Sequence, residues 1–233
     1  MRYLVPMVLV VGCGDGGDAA VDARPDGFNV PRSTVFLAFD GLSVQPGNAD
    51  DASSDTSQIA TETLTVQSFL SGDPDRAART LEVVSEMETL LAPFNIEITT
   101  TRPAGDAYDM IVFGESAEPF GLPRAVPGLA FPVDCADANP HNVTFVFSGA
   151  FGPAATGGVF ASMAIPALAV VNGIPSANRQ GDCLCWNGAE CDPIATCTIG
   201  GPGTPIAANQ PCAGGETTMD PRARLRAAFG DAP

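Results

Sequence analysis

Residues 154–171 spell AATGGVFASMAIPALAVV, and Asn172-Gly173 follows them. The stretch is apolar on every side of a helical wheel, so it predicts a buried helix with Asn172-Gly173 as its C-cap. A membrane span is the competing reading. Pro166 and the pair Gly157-Gly158 interrupt the stretch, and flanking positive anchors are missing, which favours the buried helix. Pro166 is expected to kink or break it. The helix lies within a longer stretch, residues 138–178, that holds no Asp, Glu, Lys or Arg.

Working outward, NVTFVF (142–147) alternates Val143, Phe145 and Phe147 and predicts a strand just before the helix. Further strands are expected at TVFLAF (34–39), NIEITTT (95–101) and YDMIVF (108–113). Residues 129–133 carry a proline, as an edge segment can. Residues 43–72 form a polar excursion with a short strand or turn near 64–69. Asp73-Pro74 opens an amphipathic helix, with Asp73 as N-cap and Pro93 as its stop. Its apolar face is expected to be Ala77, Leu81, Val84, Met87 and Leu91, with Glu82 and Glu86 turned away. A short helix at 221–229 closes the chain. The implied class is α+β: a single mixed sheet, one early amphipathic helix, one buried central helix and disulfide-rich C-terminal loops.

The 233 residues include 25 glycines and 21 prolines, about a fifth of the chain, which favours turns over long helices. The net charge is −16, and every basic residue is Arg. A surface so acidic repels phosphate backbones and excludes nucleic-acid binding. With one histidine, His141, no site can use two or three imidazoles.

Residues 1–12 have an early Arg2 and an apolar run, the pattern of a signal peptide, and are too short for a membrane span. Val10-Val11-Gly12-Cys13 resembles a bacterial lipobox, which implies that Cys13 is acylated and that the bilayer is the chain's first partner. Residues 13–32 are rich in Gly, Asp and Ala and predict a flexible tether. The folded domain is then 33–230. These features imply a lipid-anchored protein of the bacterial cell envelope, facing the periplasm or the outside.

Setting Cys13 aside leaves Cys135, Cys183, Cys185, Cys191, Cys197 and Cys212. In an exported chain six cysteines predict up to three disulfides, with fifteen pairings open. Cys183 and Cys185 are expected to reach different partners. The alternative is a zinc site from Cys183, Cys185, Cys191 and Cys197, whose spacing is not the paired CxxC of zinc ribbons.

The element order resembles that of the metzincin zinc metallopeptidases, in particular small exported matrixin-like domains. There the helix after the sheet carries H-E-x-x-H-x-x-G-x-x-H and a Met-turn follows. With Gly173 as the motif glycine, Pro166, Val170 and Ser176 stand at the three histidine positions, and Ala167 stands at the glutamate. Asp182-Cys183-Leu184-Cys185-Trp186 is similar to the Met-turn segment, with Leu184 in place of methionine. Three imidazoles hold catalytic zinc in that family and the glutamate takes the proton of the bound water. The resemblance therefore implies a domain without cofactor or catalytic residues, kept for binding a peptide or protein partner or for structure. An active metal-dependent peptidase with an unorthodox site is the alternative.

Two other constellations are weaker. Asp40, Asp50, Asp51 and Asp55 supply oxygens of the kind calcium prefers, without the EF-hand spacing. His141 and Ser148 are a base and a hydroxyl close in sequence but without a nucleophile-elbow pattern.

Overall fold

The computed structural model describes residues 32–105, 107–130, 134–135, 138–186, 191 and 196–233. The expected signal peptide, Cys13 and most of the expected tether lie outside them, as do residues 131–133 of the expected edge segment.

The strands expected from β-forming runs assemble into one five-stranded sheet. These are β1 (Ser33–Ala38), β5 (Ile96–Thr99), β6 (Asp109–Gly114), β7 (Gly128–Ala130) and β8 (Val143–Phe147), in the order β5-β1-β6-β8-β7. β5, β1, β6 and β8 are parallel, and β7 is an antiparallel edge on β8. Side chains alternate between the two faces with the period of two that a strand imposes. Val35, Leu37, Ile111, Phe113 and Val146 enter the core on one face. Phe36, Ala38, Met110, Val112, Val143, Phe145 and Phe147 enter the core on the other. Both faces being covered, β6 and β8 are buried along their whole length, as parallel strands usually are.

The first face carries the helices α1 (Arg76–Leu91), α2 (Gly157–Val171) and α3 (Pro221–Phe229). The second is covered by a small sheet of β2 (Leu42–Pro46), β3 (Thr56–Ser57) and β4 (Leu64–Val66), in the order β3-β2-β4. Only β4 was legible in the polar excursion; β2 and β3 are short and largely solvated on one side. A two-stranded ribbon, β9 (Thr204–Pro205) with β10 (Thr218–Met219), lies in the C-terminal loops. The class is α+β with mixed sheets.

Pro166 sits inside α2 without breaking it. Every α2 residue from Phe160 to Val171 is buried, as the all-round apolar pattern requires. α1 starts two residues later than a cap at Asp73 implies. The Asp73 carboxylate accepts from the Asp75 N–H in a preceding turn, and Arg76 reaches the Phe69 and Phe39 carbonyls and pairs with Asp40. The buried stripe of α1 is Val83, Met87 and Leu91, whereas Leu81 is 70% exposed.

Candidate functional site

α2 ends in a Schellman motif. The Ile174 N–H donates to the Ala169 carbonyl and the Gly173 N–H to the Val170 carbonyl, with Gly173 at φ +74°. A Cβ on Gly173 would also lie 2.9 Å from the Asp134 carbonyl oxygen, so glycine is demanded twice. Asn172, the C-cap, donates from its side chain to Asp109 at 3.0 Å and to the Leu168 carbonyl at 2.8 Å. Asn142 donates to the same Asp109 carboxylate at 3.0 Å. This buried triad fixes the end of α2 against the amino ends of β6 and β8.

Pro166 and Val170 stand one turn apart on α2, on one face by helical geometry. Both are buried, as is Ala167. Ser176 follows the glycine turn with 1% exposure, and its hydroxyl has no hydrogen-bond partner among the described residues. Its backbone is held on both sides: the N–H donates to Gln210 and the carbonyl accepts from Ala207. One residue on, the Ala177 N–H donates to the Leu184 carbonyl at 2.8 Å. The DCLCW segment therefore runs beside Ser176, with Leu184 fully buried in the helical-face core. The DCLCW segment itself carries one carboxyl group, that of Asp182. Burial pushes the Asp182 carboxyl above the ordinary range, against a hydrogen bond from the Leu184 N–H. Among the described residues no group of three His, Cys, Asp or Glu side chains gathers in metal-holding geometry.

All six cysteines of the domain are paired: Cys135 with Cys212, Cys183 with Cys197 and Cys185 with Cys191. Cys183 and Cys185 do reach different partners. The zinc reading of the last four fails, because their sulfurs are consumed in two disulfides. Disulfides of this density belong to an oxidising, extracytoplasmic compartment. Among the described residues no helix is long and apolar enough to cross a membrane.

The acidic residues disperse. Asp40 pairs with Arg76 and Asp55 with Arg102. Asp51 accepts from the Ser54 and Ser53 hydroxyls, which hold its carboxyl down at about 2. Asp50 is buried and accepts from Ser57 and from the Gln58 N–H; burial outweighs these bonds and pushes its carboxyl up. Each carboxylate thus answers a local donor, and no calcium cage forms. His141 and Ser148 lie at opposite ends of β8, about 20 Å apart along an extended chain. Ser148 is buried, accepts from the Leu70 N–H and lies 3.0 Å from Glu115; its role is to tie loops together.

Two features escaped the sequence. The Glu82 carboxylate accepts from the Gly157 N–H at 3.0 Å, so an acid on α1 caps the positive end of α2. A Cβ on Gly157 would lie 2.2 Å from the Glu82 Cβ and 2.7 Å from its backbone, so glycine permits the close helix approach. The second is a cavity of about 570 Å³ beyond the carboxyl ends of β6 and β8. Neither it nor a smaller cavity of about 330 Å³ beside β5 is lined by Pro166, Ala167, Val170 or Ser176.

Comparison of the chain with protein-family models, with curated proteins and with solved structures finds no match.

Proposed function

We propose that this chain is a bacterial lipoprotein whose domain is metallopeptidase-like and catalytically inactive, with a binding or structural role at the cell envelope. One observation carries the inactivity. The positions that correspond to the zinc ligands and the base hold Pro166, Val170, Ser176 and Ala167, and all four are buried. A prolyl ring, an isopropyl group and a methyl group offer no lone pair to a metal or a proton. The one remaining oxygen, that of Ser176, is a weak donor by itself.

The likeness to the peptidase scaffold draws support from two contacts. The helix ends on the glycine where the motif requires one, and the Leu184 segment runs beside Ser176 through the Ala177–Leu184 hydrogen bond. A domain of this kind recognises an extended peptide or protein segment at a sheet edge by strand addition. Here β7 is the edge next to β8.

The anchor rests on the Val10–Cys13 sequence and is tested separately. Cys13→Ser is expected to move the full chain from the membrane fraction to the soluble one and to abolish incorporation of labelled fatty acid. A variant that stays lipid-labelled and membrane-bound contradicts the anchor.

A further inference from the structure

The 570 Å³ cavity opens where β6 ends at Gly114 and β8 at Phe147. The carboxyl ends of parallel strands are where open sheets commonly receive ligands, and the volume is that of a small-molecule site. Its walls come from three separate parts of the chain. Ser71, Asp73 and Arg79 come from the run into α1, Glu115 and Arg124 from the segment after β6, and Phe151 and Ala155 from the connection to α2.

Arg79 sets the chemistry. Its guanidinium donates to the Pro153 carbonyl at 3.3 Å, and it has no carboxylate within ion-pair distance among the described residues. Arg76, Arg102, Arg124, Arg224 and Arg226 each do have one. A guanidinium has five N–H donors in a fork matched to a carboxylate, so most of Arg79's capacity remains unused. Arg124, also in the lining, is already neutralised by Glu115 and Glu118. The α2 amino end is taken by Glu82 and plays no part. The apolar part of the wall includes an aromatic pair beside Leu70: half-buried Phe151 meets the Phe160 ring edge-on at 5.4 Å.

We propose that this cavity binds a small carboxylate bearing an apolar group of aromatic size, with Arg79 holding the carboxylate and Phe151 the apolar group. A free amino acid and a peptide carboxyl end share that chemistry; the first would add its ammonium to Asp73.

Calorimetric titration of the full chain with phenylalanine, N-acetylphenylalanine and N-acetylphenylalanine amide tests it. At least one acid is expected to bind, and the amide about tenfold to a hundredfold more weakly than N-acetylphenylalanine if that is the acid bound. Binding of the acetylated acid alone identifies a peptide end, and binding of the free amino acid alone identifies that class; either supports the site. Arg79→Gln is expected to abolish acid binding, and Arg79→Lys to retain part of it. Ser71→Trp, at an exposed position in the lining, is expected to block both acids with an unchanged melting temperature. The proposal is overturned if neither acid binds at millimolar concentration, if the amide binds as well as the acid, or if Arg79→Gln binds like the parent.

Discussion

Gly157 illustrates how a single missing side chain positions a helix. Its Cα–H surface meets Glu82 and the backbone of Val83 on α1, and the Glu82 carboxylate satisfies its N–H. Gly157→Ala is therefore expected to lower stability by about 1–3 kcal/mol through overpacking, read from denaturant unfolding. A variant as stable as the parent would mean that the helices do not approach this closely. Asp50 makes the matching electrostatic case. Its folded pKa is raised above the ordinary 3.8 by burial, so the fold disfavours its ionised form. The stabilising contribution is complete below the unfolded value and is lost as pH rises through the folded one. Asp51 works in the opposite sense: its carboxyl lies at about 2, so its contribution is present above 3.8 and lost as pH falls towards 2. Unfolding of the parent and of Asp50→Asn across pH 3 to 8 is expected to show the parent losing stability relative to the variant as pH rises. A difference that does not change with pH contradicts the assignment.

Among the elements, the legible ones are those whose neighbours hardly matter. α2 is apolar all round, so any packing partner buries it, and the local turn by itself already calls for Gly173. α1 is different. The stripe through Ala77 and Leu81 and the stripe through Val83 both run on into Met87 and Leu91. What selects the second is α2, which lies against Glu82 and Val83 because Gly157 lets it. That choice is tertiary, and it leaves Leu81 in solvent. The same holds for Glu82, whose capping role depends on a residue 75 positions away. The peptidase resemblance singles out Ser176 and Leu184, but their adjacency depends on the loop pairing at Ala177. The disulfides staple those loops, and closing a longer loop restrains the unfolded chain more. Removing Cys135–Cys212, which spans 77 residues, is expected to cost about 4.5 kcal/mol by the chain-entropy relation. Removing Cys183–Cys197, which spans 14, costs about 3 kcal/mol, and Cys185–Cys191, which spans 6, about 2 kcal/mol. Chemical unfolding of the three paired Cys→Ser variants checks that order; a reversed order would show that native-state packing, not loop closure, dominates.

Across the whole molecule, one mixed sheet, parallel but for its β7 edge, separates two environments. The helical face holds α2 and the stapled loops, where the peptidase resemblance is concentrated, and the other face is closed by the small β2–β4 sheet. The lone imidazole belongs to the junction below β8, where the His141 carbonyl accepts from Ala52, a core residue of the second face. On the proposed peptidase scaffold a hydrolytic zinc site would take its ligands from α2 and just beyond, where the chain has Pro166, Val170 and Ser176. Zinc stoichiometry of the purified full chain after dialysis against zinc-containing buffer, measured together with cleavage of a mixed peptide substrate, addresses this most directly. Far less than one zinc per chain and no cleavage above background are expected. One firmly held zinc per chain accompanied by peptide hydrolysis would overturn the proposed inactivity.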